Sequence, residues 1–217
     1  MAGEQRGPLT GVKVLDLSTI IAGGTATSML ADFGAEVIKV EQPRVGDPLR
    51  RWGPFYPSRR GSAPDEAASS EDSGVEVSVW WKVHSRNKKS ITLDLRGSEG
   101  QGILKKLAQS VDVLVEGFRP GTLERWELGP DDLSKINPKL IVVRFSGYGQ
   151  TGPYKDRPGF GTVAECMSGM VAMSGFPDTP PMLPPVPLGD EVAGLFGAMA
   201  SVMALYHRDT GAAGQGQ

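Results

Sequence analysis

The chain has little cysteine, little histidine and almost no net charge, and each shortage excludes a class of function. A single cysteine, Cys166, in 217 residues excludes an internal disulfide, which favours a reducing, cytoplasmic setting. The two histidines, His84 and His207, have no cysteine or carboxylate at metal-ligand spacing. A zinc site or a Ser-His-Asp triad is therefore not expected. A net charge of −2 gives no general attraction to nucleic acid or to anionic membranes.

Long hydrophobic runs are also missing, so the sequence predicts neither a signal peptide nor a membrane span. With 39% hydrophobic and 22% charged residues, the composition is typical of a soluble globular protein with one sizeable core. We expect a small-molecule partner whose charged groups are bound by local clusters. Cys166 lies in an apolar stretch, which favours a small buried side chain over a nucleophile.

Predicted strands and helices alternate along the chain. The strands span residues 12–17, 37–40, 90–95, 111–115 and 140–145, and the helices span residues 22–33, 100–107, 121–126 and 131–136. The first strand, helix and strand fit a right-handed βαβ unit with parallel strands. The pattern predicts an α/β fold, with a Rossmann-like, open, mostly parallel sheet and helices on both faces.

Two irregular stretches interrupt this alternation. Residues 57–75 are rich in Ser, Ala, Gly, Pro and acidic residues and predict a flexible surface insertion. Residues 175–187 contain six prolines and predict a stiff, extended segment. That segment leads to Asp190, from which an uncharged, apolar stretch predicts a long buried helix. A carboxylate at a helix start is an ordinary N-cap, or a nucleophile that the helix dipole keeps ionised.

Two further patterns have more than one interpretation. Residues 147–152 match G-x-G-x-x-G, but Pro153 and the helix-poor residues after it favour a tight glycine turn over a dinucleotide site. Basic residues gather around the strand ends, at positions 86, 88, 89, 96, 119 and 125. They form either a solvated rim or a site for a phosphorylated ligand, since strand ends in an open α/β sheet converge on one crevice.

Several motifs, taken together, resemble class III CoA-transferases, the family of formyl-CoA and carnitine CoA-transferases. The motifs are residues 8–17, 34–41, 87–91, 117–121 and 146–153 and the pair Gly189-Asp190, in that order. The resemblance implies a CoA-transferase that moves CoA from an acyl-CoA donor to a carboxylic acid. It also implies that Asp190 attacks the thioester and then carries CoA as an aspartyl-CoA thioester.

The resemblance also implies a path for CoA along the chain. The residues expected along it are Ile21, Ala22, Arg44, Leu93, Asp94, Leu95, Arg96, Gly117, Phe118, Arg119 and Arg125. Two departures affect this set: Gln42 stands where relatives often carry a basic residue, so Arg44 is expected to supply that charge, and Gly117 stands where asparagine is common. CoA is a substrate here, and neither a metal nor a tightly bound cofactor is implied.

Family members are considerably longer, with a second domain, a returning C-terminal segment and interlocked homodimers. The resemblance therefore implies that residues 1–217 form the N-terminal part of the CoA-binding α/β domain, without the second domain or the return segment. Two alternatives to the transferase follow. One is a catalytically incompetent CoA-binding fragment. The other is an α-methylacyl-CoA racemase-like enzyme, although the histidine which that reaction needs near Phe160-Gly161 is absent.

Overall fold

Helices and strands alternate through the computed structural model, which describes residues 7–57, 76–211 and 214–217. The strands are β1 (Lys13–Asp16), β2 (Glu36–Glu41), β3 (Phe55–Pro57), β4 (Glu76–Ser78), β5 (Lys88–Thr92), β6 (Val113–Glu116) and β7 (Ile141–Arg144). The helices are α1 (Ala22–Asp32), α2 (Val79–His84), α3 (Ser98–Ala108), α4 (Thr122–Arg125), α5 (Pro130–Ile136), α6 (Gly161–Met167) and α7 (Leu188–Thr210). Apart from Pro57, the predicted insertion at 57–75 lies outside the described residues.

Five strands form one parallel sheet in the order β5-β2-β1-β6-β7. The predicted α/β class is therefore confirmed. Because all five strands run the same way, their carboxyl ends meet at one edge, where open α/β sheets usually bind ligands. Strands β3 and β4 pair antiparallel with each other, outside this sheet.

Alternate residues of the central strands bury opposite faces of the sheet. Val14 of β1 belongs to a buried cluster with Leu30 of α1 and Leu205 of α7. Its neighbour Leu15 belongs to a second cluster with Leu104 of α3 and others from α4 and α5. Each fully buried side chain of this size contributes about 1.5–3 kcal/mol. Helices thus cover both faces, as the sequence predicts.

Helices α1 and α7 pack closely because glycine replaces a side chain at their contact. A Cβ added at Gly194 would lie 2.6 Å from the carbonyl oxygen of Ala22 and 2.6 Å from Cβ of Thr25. A Cβ added at Gly197 would lie 2.3 Å from the ring of Phe145. Such distances leave no room for a methyl group, so these glycines set how near α7 lies to the sheet.

We expect Gly194→Ala to cost about 1–3 kcal/mol of unfolding free energy, because the new methyl group must displace the backbone of α1. Thermal unfolding measured by calorimetry checks this. Gly102→Ala is the matched control: Gly102 is also helical, and a Cβ there meets nothing within 4 Å among the described residues. The control should gain about 0.4–1 kcal/mol, so equal shifts in the two variants would contradict the close packing.

One face of α7 remains exposed in the described structure. Leu195, Phe196, Met203 and Tyr206 are each between 50% and 71% exposed, whereas Gly194, Gly197, Ala198 and Ala204 are buried. By length and composition alone α7 could cross a membrane, which differs from the sequence-based expectation. A core helix passes the same test, and α7 packs against α1, α6 and β7.

Two other expectations were wrong. The third strand of the sheet spans Lys88–Thr92 instead of 90–95, so residues 93–95 leave the sheet and form a loop at its edge. Cys166 is exposed on α6 instead of buried. Burial and strand pairing are separate properties at residues 93–95, since Leu95 is buried in the core although it lies in the loop.

Candidate functional site

Two adjoining cavities open at the carboxyl edge of the sheet, and Thr19 lines both. We call the first the aspartate cavity because it contains Asp190; its wall also includes Ser18, Ile20, Ile21, Ala22, Gly117, Phe145, Ser146, Phe160, Gly161 and Gly189. We call the second the edge cavity; its wall includes Leu17, Val40, Gln42, Val45, Gly46, Asp47, Leu93, Asp94, Leu95, Arg96, Phe118 and Trp126. The two cavities are therefore neighbours, with Thr19 in the wall of each.

The close approach of α6 and α7 positions Asp190. Gly161 donates its backbone N–H to the Asp190 carboxylate at 3.1 Å, and Gly189 donates to the buried Glu165 at 2.7 Å. A Cβ at Gly161 would lie 2.7 Å from the Asp190 nitrogen, and a Cβ at Gly189 would lie 2.8 Å from the Gly161 oxygen. Only glycine fits at either position, which explains why Asp190 is preceded by one.

The N-cap interpretation of Asp190 is wrong. Helix α7 begins at Leu188 with Pro187 at its cap position, so Asp190 lies within the first turn and hydrogen bonds to another helix. The expected lowering of its pKa is not found either. Burial raises the pKa of Asp190, the Gly161 N–H opposes this in part, and the negative charges of Glu165 and Glu191 raise it further. Desolvation thus outweighs the hydrogen bond from Gly161.

Glu191, the next residue of the same helical turn, contacts α1 and α2. Thr25 of α1 donates a hydrogen bond to the Glu191 carboxylate at 2.8 Å, and Nε2 of His84 lies 3.6 Å from it. Burial lowers the pKa of His84, which favours its neutral form. Asp190 and Glu191 are therefore neighbours with different surroundings: Asp190 lines the cavity, whereas Glu191 joins α7 to α1 and α2.

The edge cavity combines an apolar wall with a small charged rim. Phe118 and Trp126 stack edge to face with ring centroids 5.4 Å apart. Asp94 and Arg96 form a two-pronged ion pair, with both contacts at 2.9 Å. A flat ring would meet Phe118 and Trp126, while anionic groups would meet Arg96 at the opening.

Nine of the twelve predicted site residues line these cavities. The aspartate cavity contains Asp190, Ile21, Ala22 and Gly117, and the edge cavity contains Leu93, Asp94, Leu95, Arg96 and Phe118. Arg44, Arg119 and Arg125 line neither one. Gln42 lines the edge cavity itself, so the charge expected from Arg44 is not on this wall. Gly117 leaves room for a side chain, because an added Cβ meets Ser18 at 3.7 Å.

The remaining basic residues do not converge on one ligand. Arg86 pairs with Asp32, and Lys89 pairs with Glu36 at 2.6 Å, both on the surface. Lys88 is buried against Asp16 at 3.1 Å. Of the positions considered as a phosphate cluster, Arg96 is the one that lines either the aspartate cavity or the edge cavity.

Sequence reasoning missed the carboxylates at the ends of three neighbouring strands. Asp16, Glu41 and Glu116 end β1, β2 and β6, and all three are buried. Each accepts a hydrogen bond from a backbone N–H in the loop that follows, at Ser18 (3.0 Å), Asp47 (2.9 Å) and Phe118 (2.6 Å). The signal in the sequence is an acidic residue at the last position of an apolar strand.

Residues 147–152 form a bent, irregular segment with positive φ at Gly149 and Gly152, and α6 begins only at Gly161. No helix therefore starts at the last glycine of the motif, as a dinucleotide site would require, and the hydrogen-bonded turn lies just after it, at residues 153–156. Across the described ranges, no three His, Cys, Asp or Glu side chains come together as a metal-binding group.

The family is decided by a match along almost the whole sequence. The model of CoA-transferase family III matches residues 9–217. The chain belongs to CoA-transferase family III. The resemblance to class III CoA-transferases is thereby confirmed.

Relatives with known names are similar over one part of their length. A succinyl-CoA–D-citramalate CoA-transferase from Chloroflexus aurantiacus is 47% identical over 97% of this chain and 48% of its own length. A succinyl-CoA–L-malate CoA-transferase alpha subunit from Chloroflexus aurantiacus is 43% identical over 98% of this chain and 46% of its own. A CAIB/BAIF family protein from Brucella suis has a TM-score of 0.87 and 36% identity, over 98% of this chain and 52% of its own. The chain thus spans about half the length of these relatives.

Proposed function

We propose that this chain carries the nucleophile and the CoA-binding surface of an enzyme that moves CoA from an acyl-CoA donor to a carboxylic acid. The observation that carries the proposal is the placement of Asp190. Its half-buried carboxylate lines a cavity that shares Thr19 with a second cavity, whose wall includes two aromatic rings and Arg96. An extended, partly anionic thioester that occupies both cavities would have its reactive end at Asp190.

The reaction divides one transfer into balanced exchanges at Asp190. A carboxylate oxygen of Asp190 attacks the thioester carbonyl, the C–S bond breaks, and CoA leaves as a thiolate from a mixed anhydride. The thiolate then attacks the aspartyl carbonyl and releases the donor's carboxylate, which leaves an aspartyl-CoA thioester. The acceptor carboxylate repeats the two exchanges in reverse, so that acyl-CoA leaves and Asp190 is regenerated.

The surroundings of Asp190 suit these steps. Partial burial reduces the access of water that would hydrolyse an anhydride or an aspartyl thioester. The same burial raises the pKa of Asp190, which makes its ionised form a more basic nucleophile. The Gly161 N–H, which now donates to the carboxylate at 3.1 Å, is placed to bind an oxygen on which negative charge develops.

We further propose a succinyl-CoA-type donor and a small carboxylic acid as acceptor. Two of the relatives described above carry succinyl-CoA in their names, and their acceptors are D-citramalate and L-malate. We also propose that the working enzyme is a dimer in the cytoplasm. The exposed apolar face of α7 supports an interface there, and one relative is named as the alpha subunit of its enzyme. A racemase is less well supported, since no histidine lines the aspartate cavity in the described part of the chain.

Mass spectrometry tests the role of Asp190. After the chain is mixed with succinyl-CoA and then hydroxylamine, peptide mapping should locate a hydroxamate at Asp190, and Asp190→Ala should give none. Glu191→Gln is the matched control, because it alters the adjacent carboxylate of the same helical turn but keeps an acceptor for Thr25. The control should label like the wild type. A chain that binds CoA but never forms a hydroxamate would be a CoA-binding fragment, and the proposed activity would be wrong.

A further inference from the structure

The loop between β1 and α1, residues 18–21, has an unusual backbone. Ile20 has a φ of +66°, a conformation that β-branched side chains rarely adopt because of steric clash. Ser18, Thr19, Ile20 and Ile21 all line the aspartate cavity, and Thr19 also lines the edge cavity. A strained conformation at such a place persists only where its surroundings hold it.

The surroundings are a set of buried charged groups around Lys39 of β2. Its ammonium group donates a hydrogen bond to the carbonyl oxygen of Ser18 and lies 3.1 Å from the Asp47 carboxylate. Asp16 lies on its other side at 3.7 Å. Lys39, Asp16 and Asp47 are each at most 2% exposed. Burial opposes the charge on Lys39, but Asp16 and Asp47 outweigh it and raise its pKa, so Lys39 stays charged.

The carboxylates of Asp47 and Asp16 accept hydrogen bonds from the loop backbone. Asp47 accepts the N–H of Ile20 at 3.3 Å from both oxygens and the N–H of Leu49 at 2.9 Å. Asp16 accepts the N–H of Ser18 at 3.0 Å and its hydroxyl at 2.5 Å. Each polar backbone contact of the loop at Ser18 and Ile20 thus ends on Lys39 or on a carboxylate beside it.

We infer that Lys39 is a positioning residue: clamped between Asp16 and Asp47, it holds residues 18–21 in the conformation that lines both cavities. Lys39 lines neither cavity and has no direct route to a ligand there. It acts by fixing in advance a loop that would otherwise lose entropy on binding, so its effect appears as ligand affinity. The effect on affinity rests on the proposed CoA site, whereas the effect on the loop does not.

The test compares Lys39→Met with Lys89→Met. Both lysines lie in the parallel sheet, but Lys89 is exposed and pairs with Glu36 on the surface. Amide hydrogen exchange is measured without ligand for residues 18–22 and, as a reference for global stability, for β6. In Lys39→Met we expect exchange of the loop amides to accelerate at least about tenfold more than exchange of β6. Lys89→Met should match the wild type.

Calorimetry with CoA supplies the second readout, and we expect Lys39→Met to weaken binding at least about tenfold. If Lys39→Met does not fold, Asp47→Asn replaces it, because asparagine keeps the shape and an acceptor for Ile20 but loses the charge facing Lys39. Unchanged loop exchange in a folded variant would overturn the inference, even if affinity fell. Absence of CoA binding in the wild type would refute the proposed function alone, since loop exchange still decides the role of Lys39.

Discussion

Asp190→Asn is expected to abolish covalent labelling by acyl-CoA and at the same time to raise the thermal stability of the chain. The amide cannot attack a thioester, so adduct formation should fall by at least about 10³-fold. Stability should rise because the native carboxylate is buried and lies near the negative charges of Glu165 and Glu191, which raise its pKa. Replacing the carboxylate with an amide removes the cost of burying a charge and its repulsion with Glu165 and Glu191. We therefore expect the midpoint of thermal unfolding to rise by roughly 2–4 °C at neutral pH.

The stability gained by Asp190→Asn should depend on pH. The folded-state pKa of Asp190 is raised, so the neutral acid is favoured on folding and its contribution is fully present below the unfolded value. That contribution is lost as pH rises through the folded pKa. The stability difference between Asp190→Asn and wild type should therefore be small in acid and grow toward neutral pH.

Thermal unfolding from pH 3 to pH 8, together with intact-protein mass after incubation with succinyl-CoA, measures both effects. Glu191→Gln is again the control, because its carboxylate is hydrogen bonded to Thr25 and does not line the cavity. It should keep the adduct and gain less stability than Asp190→Asn, because it relieves the repulsion between the two carboxylates but leaves the Asp190 charge buried. An Asp190→Asn protein that still forms the adduct would show that another group is the nucleophile.

Most of the fold could be predicted from sequence because apolar strands have an unambiguous pattern. Runs such as Val113–Glu116 and Ile141–Arg144 leave few alternatives to a buried strand, and the βαβ order then fixes parallel pairing. The boundaries were less certain. At β5 the apolar residues 91, 93 and 95 predicted a strand that starts two residues too late. The strand begins with Lys88 and Lys89, and these lysines form ion pairs with carboxylates that are distant in the sequence.

Part of the site could be predicted from the sequence, and the buried charges behind it could not. Asp190 and the loops at 93–96 and 117–118 were found through the family resemblance, and these residues line the two neighbouring cavities. The buried charges behind those cavities were not found. Lys39 and Lys88 meet Asp16 across 23 and 72 residues of sequence, and a charged residue in a strand is by default expected to face solvent. Only the folded sheet brings these side chains together.

We expect Asp16→Leu to be the most destabilising of the substitutions considered. Asp16 is fully buried between the ammonium groups of Lys39 at 3.7 Å and Lys88 at 3.1 Å. Removing one partner of a buried ion pair typically costs about 3–5 kcal/mol, because the remaining charge stays buried without compensation. For a chain of this size the thermal midpoint should fall by roughly 6–20 °C. Glu36→Gln, which breaks the exposed pair with Lys89, should leave the thermal midpoint almost unchanged, because solvent screens a surface ion pair.

The pH dependence of stability shows how much the charge of Asp16 contributes. Burial works against the ionisation of Asp16, yet Lys39, Lys88 and the hydroxyls of Ser18 and Thr27 lower its pKa to about 2. Because the folded pKa is lowered, the contribution of Asp16 is present above its ordinary value of 3.8 and is lost as pH falls through about 2. The stability gap between wild type and Asp16→Asn, a variant of nearly the same shape, should thus narrow steadily below about pH 4. A gap that stays constant down to pH 2 would mean that Asp16 stabilises the fold by the hydrogen bonds it accepts, and that its charge contributes nothing.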